Sequence, residues 1–154
     1  KYTKSMNMTY IDNSGETRYP VMGCYGIGIG RLAASICEAH HDDHGPIWPL
    51  AVAPWQVHLC AVRSDDAEVK AYADKLYHEM QNKGAEVIYD DRPVSAGVMF
   101  SDADLLGVPF RVIISPRNIK QNIVEIVSRD KSFSATASME TAAETILKKL
   151  LFFF

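Results

Sequence analysis

The run Gly26-Ile27-Gly28-Ile29-Gly30-Arg31 carries the clearest chemistry in this chain. Alternating glycines bare one face of an extended segment, so a flat or phosphorylated ligand can lie close to the backbone. The arginine at its end offers a planar fork of donors suited to phosphate oxygens. The spacing is GxGxG, not the GxGxxG of dinucleotide folds, and no Gly-Lys-Ser/Thr follows to make a Walker loop. Alone, the glycines serve equally well to let a helix pack close to a sheet. A second group of candidates is Asp90-Asp91-Arg92, with Phe100, Asp102, Asp104, Arg111 and Arg117 after it. The first three fall at a strand end, the ligand-facing edge of an α/β sheet. Cys37, His40, His41 and His44 are zinc-ligand types, but no further pair completes a tetrahedral set and Pro46 breaks the helix. They read as a solvated helix end, with no metal expected.

These residues need elements to hold them. Residues 8–11 and 17–22 read as short strands around the turn Asn13-Ser14-Gly15. A β-like stretch, 19–25, leads into the glycines, and 31–40 is helical, with Leu32, Ile36 and Cys37 at helical spacing. Pro46, Pro49 and Pro54 make a stiff connector, which places a boundary between residues 1–47 and 48–154. Beyond it strands and helices alternate. Strand 56–62 precedes helix 65–83, where Val69, Tyr72, Ala73, Leu76 and Met80 repeat at helical spacing. Asp65 with Glu68 forms its capping box and Gly84 stops it. Strand 85–89, helix 98–106 with Asp102 and Asp104 at its start, strands 110–115, 124–129 and 132–137, and closing helix 138–153 follow. The alternation implies an α/β fold: three layers, with a mixed, mostly parallel sheet flanked by helices and antiparallel at one edge.

The bulk numbers bound the function. The chain has 154 residues, 47% of them hydrophobic and 23% charged, which is ordinary globular composition. A formal net charge of −3 gives no global basic field for nucleic acid, although local patches matter more than the sum. Three cysteines without a CxxC pattern argue against a disulfide framework. The final run Leu150-Leu151-Phe152-Phe153-Phe154 is too short to span a bilayer and is expected to pack on protein. The chain begins with Lys1, and residues 1–30 have too few apolar positions for a core, so it reads as a fragment of a larger protein.

Several blocks in order carry a family resemblance. Residues Val21-Met22-Gly23-Cys24-Tyr25-Gly26-Ile27-Gly28-Ile29-Gly30-Arg31 resemble the third signature motif of class II aminoacyl-tRNA synthetases, in the form found in bacterial-type prolyl-tRNA synthetases. His41-Asp42-Asp43-His44-Gly45-Pro46-Ile47-Trp48-Pro49 resembles that family's link to its anticodon-binding domain. Ala53-Pro54-Trp55-Gln56-Val57-His58-Leu59 looks like the first strand of that domain. Ala96-Gly97-Val98-Met99-Phe100 and Asp102-Ala103-Asp104-Leu105-Leu106-Gly107-Val108-Pro109 look like its middle. The resemblance implies that residues 1–47 are a catalytic-domain remnant, with a β-hairpin and strand-helix, and that 48–154 bind the anticodon. It implies that Arg31 contacts the γ-phosphate of ATP and that Gly26 and Gly28 let substrate and adenosine approach. It further implies a cytoplasmic homodimer that joins proline to tRNA(Pro) through an adenylate, with ATP and Mg²⁺. The other two signature motifs are missing here, so this chain alone is expected to be inactive and to hold no cofactor.

Proline anticodons carry two guanines, whose edges suit arginine on one side and carboxylate on another. By resemblance Arg92, Asp102 and Arg117 are the first anticodon-binding candidates, then Asp90, Phe100 as a stacking ring, and Arg111. Structural roles compete: helix capping for Asp102 or Asp104, loop support for Asp90, a solvated strand face for Arg111, and core packing for Phe100. Many members have basic residues at the positions of Ser95 and Met99, and both are neutral here, which implies a weaker hold on the RNA backbone. A threonyl, histidyl or glycyl synthetase, a non-catalytic protein reusing the anticodon fold, and a small nucleotide-binding switch are the alternatives.

Overall fold

The first turn of the chain is built by Asp12, whose carboxylate accepts hydrogen bonds from the backbone N–H groups of Ser14 and Glu16. Gly15 closes it at a φ of +81°, a region that glycine enters freely. The computed structural model describes residues 1–152, and of Phe152 only the backbone; the terminal Phe153 and Phe154, expected to pack on protein, lie outside the described residues. Two compact units divide at Leu32.

In the first unit, α1 (Tyr2–Ser5) precedes a two-residue antiparallel ladder of β1 (Tyr10–Ile11) and β2 (Thr17–Arg18). The strands expected over 8–11 and 17–22 are therefore shorter. The glycine run is not a strand either: residues 19–28 have no regular structure, and Gly30 and Arg31 already belong to α2 (Ile29–Ala39). A strand exists only through hydrogen bonds to a neighbour, and alternating glycines have little β preference of their own. In this unit a Cβ on Gly28 would stand 3.1 Å from Nε of Arg31, whose exposed side chain has room to shift.

In the second unit the chain forms a small hairpin, β3 (His41–Asp42) with β4 (Gly45–Pro46), where a plain connector was expected. It then enters β5 (Val57–Ala61), every residue of which is buried. Next come α3 (Ala67–Asn82), β6 (Val87–Asp90), α4 (Ala96–Leu106), β7 (Phe110–Ile114) and a short α5 (Pro116–Lys120) that the pattern did not reveal. The unit closes with β8 (Ile123–Ser128), β9 (Ser134–Ser138) and α6 (Ala142–Phe152). Asp66, not Asp65, caps α3 by accepting from the N–H groups of Glu68 and Val69. Asp65 instead pairs with Arg63. Gly84 follows the helix at φ +87°.

The five strands are ordered β6-β5-β7-β8-β9. Strands β6 and β7 are parallel to β5, while β8 is antiparallel to both β7 and β9, so four strands share one direction. Alternation sends Val57, Leu59, Ala61, Val112 and Ile126 to one face, where they pack against Val69, Leu76 and Met80 of α3 and Ile146 of α6. Each fully buried aliphatic side chain there contributes roughly 1.5–3 kcal/mol. The opposite face carries Cys60 beneath Met99 and Ala103 of α4, giving the third layer.

The end of α4 meets the hairpin tightly. Gly107 caps the helix at φ +69°, and a Cβ at this position would run into the carbonyl of Pro46. Trp48 adds two bonds across the same contact, from its backbone N–H to Gly107 and from its indole N–H to Leu106. Gly107→Ala should cost about 3 kcal/mol from left-handed strain and overpacking together. Denaturant unfolding of the variant checks this: an unchanged midpoint would mean that the hairpin is not seated against α4.

Candidate functional site

The sheet face under α4 is where the polar side chains gather. On β5, β6 and β7 the residues pointing this way are His58 and Cys60, Ile88 and Asp90, and Arg111 and Ile113. Arg92, just beyond the end of β6, lies flat across two carboxylates. Its Nε donates to Oδ1 of Asp90 at 2.9 Å, and Nη2 donates to Oδ2 of Asp90 and to Oδ2 of Asp102, each at 2.8 Å. Asp90 is 6% exposed, whereas the side chains of Arg92 and Asp102 are 50% and 41% exposed. The guanidinium beside Asp90 holds that carboxyl below its ordinary 3.8, and the two carboxylates raise Arg92 in turn. This arrangement leaves Nη1 of Arg92 and the second oxygen of Asp102 without a bond, and both residues line a cleft of about 350 Å³ whose walls include His58, Ile88 and Leu105. A cationic donor and an anionic acceptor, bonded to each other, thus border one largely apolar slot.

Asp102 and Asp104 were expected at the start of a helix. They lie instead beyond the middle of α4, because Ser95 is the cap, accepting from the N–H of Val98. Asp104 pairs with Arg111, whose guanidinium stands 5.4 Å from the ring centre of Phe100. Phe100 is half-buried against the Cys60–Met99–Ala103 cluster, so its ring supports Arg111 as well as α4. Met99 is fully buried, and a side chain at that position faces the core rather than solvent. Arg117 is exposed on α5, which packs on α3 and β8. It shares with Arg92 the carboxyl edge of the sheet, because β6 and β7 run the same way, but it stands outside the Asp90–Arg92–Asp102 network.

Two buried polar residues at or beside this site escaped the sequence reading. His58 sits in the apolar run of β5, is 2% exposed, and has no hydrogen-bond partner on either ring nitrogen. Burial pushes its pKa down to about 4 against the pull of Asp90, so the imidazole is neutral at pH 7. A polar side chain inside a run of inward-facing residues was its only signal. Arg129 follows β8 with its side chain 1% exposed. It donates to both oxygens of Asp42 at 2.7 Å, to the carbonyl of Asp104 at 2.9 Å and to that of Gly45 at 3.2 Å. Nothing local in the sequence marks this pairing, since 87 positions separate its ends. The Cys60 thiol is pushed up to about 12 by burial and is inert. Among the described residues no group of three or more His, Cys, Asp or Glu side chains is placed to hold a metal ion. Among them, also, no helix is long and apolar enough to cross a membrane.

Comparison with known proteins shows the family of the chain. Residues 56–149 match the family described as "Anticodon binding domain". A proline–tRNA ligase of Geobacillus sp. (strain WCH70) is 43% identical over 150 residues, covering 97% of this chain and 26% of that protein. Another, of Caldicellulosiruptor saccharolyticus, is 46% identical over 147 residues, 96% of this chain and 26% of its own length. The chain thus spans about a quarter of these curated relatives. A crystal structure of prolyl-tRNA synthetase from Cryptosporidium parvum complexed with L-proline and AMP has a TM-score of 0.71 at 22% identity. It covers 99% of this chain and 32% of that one, and shows the shared fold.

The Arg129 fork supports α4 from behind, and its strength depends on pH. The Arg129 guanidinium holds the Asp42 carboxyl well below its ordinary 3.8. A depressed carboxylate stabilises the fold fully above that ordinary value and loses its contribution as pH falls below it. Asp42→Asn should therefore lower Tm by roughly 5 °C or more at neutral pH, and the gap to the parent should shrink below about pH 3. Thermal melts of both proteins across pH test this; a gap that stays constant into acid would remove Asp42 as the titrating partner.

Proposed function

The chain belongs to the anticodon binding domain family, and we propose that it is part of a proline–tRNA ligase, with residues 48–154 reading the anticodon of tRNA(Pro) and residues 1–47 contributing to the amino-acid activation site. The observation that carries the reading is the fork of Arg92 between Asp90 and Asp102, which leaves one donor end and one acceptor oxygen beside a base-sized cleft. The pairing edge of guanine presents O6 as acceptor next to N1–H and N2–H as donors. Arg92 Nη1 donates to O6, and the free oxygen of Asp102 accepts from N1–H or N2–H. Adenine reverses that order and leaves both protein groups unmatched. Asp90, fully engaged by Arg92, orients the guanidinium rather than touching RNA. Arg111, held by Asp104 and Phe100, forms the neighbouring cationic wall, and Arg117 meets the RNA from the same sheet edge.

At the other end, Arg31 would neutralise the ATP γ-phosphate during adenylate formation, a reaction that needs positioning and charge stabilisation more than covalent help. The bare backbone at Gly28, with Arg31 lying close over it, fits such a phosphate contact, and Gly26 has open space around it for adenosine. Mg²⁺, like ATP, is proposed for the ligase as a whole; among the described residues no carboxylate cluster is placed to hold it. The ligase as a whole is proposed to act on proline, ATP and tRNA(Pro) as a cytoplasmic homodimer.

Filter binding with the 154-residue chain tests the anticodon reading. Arg92→Ala should weaken tRNA(Pro) binding at least about tenfold. Asp102→Asn should keep binding but narrow the preference for guanine over adenine in a mutated anticodon. Arg31→Ala should leave tRNA binding unchanged. Parent-like tRNA(Pro) affinity in the Arg92 variant would overturn the proposal.

A further inference from the structure

The carboxyl edge of the sheet carries more positive charge than guanine reading uses. Strands β6, β5 and β7 are parallel neighbours, so their chains leave the sheet side by side, about 5 Å apart. Arg92 follows β6, Arg63 follows β5, and Arg117 and Lys120 lie on α5, which follows β7. Two bonds tie these exits together. The N–H of Val62 donates to the carbonyl of Ile114 at 2.8 Å, and Oγ of Ser64 donates to the carbonyl of Asp91 at 2.7 Å. On α5, Asn118 is buried and Ile119 packs on the core, while Arg117 and Lys120 are exposed. The helix has no acidic residue, and among the described residues neither cation has an ion-pair partner. Lys70, Lys83, Arg111 and Arg129, by contrast, each meet a carboxylate. Arg63 lies flat on Asp65, with Nε 3.1 Å from Oδ1 and Nη2 3.3 Å from Oδ2, so Nη1 stays unbonded. Arg92 makes the same side-on fork with Asp90. The backbone of Arg63 has a φ of +65°, a region that a long side chain seldom enters and that gathers at ligand-binding sites.

We propose that Arg63, Arg117 and Lys120 form a track for the phosphates of the RNA whose base enters the Arg92 cleft. This rests on the anticodon reading, which brings RNA to this edge. Helix α5 packs on α3, on the other side of the edge from α4, so the track continues from the cleft over the ends of β5 and β7. A single strand is held in this way through its backbone by cations, while a base is read beside them. The nearby carboxylates do not oppose it as free charges: Asp65 is held by Arg63, Asp66 caps α3, and Asp91 is 3.7 Å from Lys70. The loop at Ser95 is neutral and Met99 is buried, so the hold on the RNA backbone falls to this side of the edge. Phosphate contacts carry no sequence information. These three residues therefore set affinity and its salt dependence, and leave guanine preference to Arg92 and Asp102.

The test uses the 154-residue chain and an anticodon stem-loop of tRNA(Pro), with affinity measured across a salt series. Arg63→Asn suits the left-handed backbone, and Arg117→Gln and Lys120→Gln change exposed side chains, so all three variants should fold. Each should make the plot of log affinity against log salt shallower by roughly 0.7, and the triple variant by about 2. Lys120→Arg keeps the charge and should keep the parent slope. The loss should be equal for the natural stem-loop and for one with an anticodon guanine changed to adenine. Lys148→Gln is the control for net charge. It is exposed on α6, where Leu147 and Leu150 border Gln56 and Ala85 at the opposite edge of the sheet, and its slope should match the parent. A triple variant with the parent slope, or a Lys148→Gln shift as large as that of Lys120→Gln, overturns the track even if Arg92→Ala abolishes binding. A changed guanine preference in the Lys120 variant overturns it too, since that residue would then meet a base. Parent-like binding by Arg92→Ala would instead overturn the anticodon reading beneath it.

Discussion

A guanidinium removed from water must find a partner for nearly every N–H it carries, and Arg129 imposes that condition on the second unit. Its fork reaches the carboxylate of Asp42, and its other bonds end on the backbone carbonyls of Asp104 and Gly45. Satisfying all of them requires the hairpin β3–β4 to close against the last turn of α4. That approach is possible only because Gly45 and Gly107 lack side chains where the two backbones meet. Breaking such a pair by removing one partner leaves a buried charge, which is why the arrangement is all or nothing. The placement of α4, and with it the line of Asp102 and Asp104 above the sheet, follows from this one buried cation.

The sheet then separates two jobs. One face meets α3 and α6 through a large apolar cluster of aliphatic and aromatic side chains and supplies most of the stabilising burial. The other is covered by α4, with a small apolar cluster and a row of ionic pairs. Burying Asp90, His58 and Arg111 costs free energy that hydrophobic replacements would not. What those groups provide is direction: Asp90 and Asp102 fix the plane of the Arg92 guanidinium, and Asp104 with Phe100 fixes Arg111. A flexible arginine would lose several rotatable bonds on binding a base, whereas one already held by carboxylates has lost them during folding. The neutral loop at Ser95 and the burial of Met99 agree with this economy, since in the proposed reading base recognition falls to a few oriented groups rather than to a broad basic surface.

The first unit works differently. It has a two-strand ladder and an irregular glycine segment whose apolar residues, Val21, Tyr25 and Ile27 among them, are exposed. In the proposed ligase this segment would acquire strand pairing from the rest of the catalytic domain, because a glycine-rich stretch takes strand form only when neighbours supply the ladder. The nearness of the Arg31 side chain to the open side of Gly28 is local and needs no such help.

Much of the second unit was readable from residue order alone. A short apolar run marked β5, the 3.6-residue period marked α3 and α6, and Gly84 marked a helix end, because each signal is set by neighbours a few positions away. The arginines and carboxylates of the cleft were also visible as residue types, and the resemblance of ordered blocks supplied the family. Distant contacts decided the rest. Sheet order β6-β5-β7-β8-β9 joins strands through pairings that no single segment encodes. Asp66 rather than Asp65 caps α3 because Arg63 claims Asp65, and Asp102 stands above Asp90 only because α4 begins at Ala96. His58 gained meaning from Asp90 on the adjacent strand, and Arg129 from Asp42 far upstream. Local periodicity chooses elements, but which buried charge meets which partner is settled only when the chain closes on itself and water is excluded.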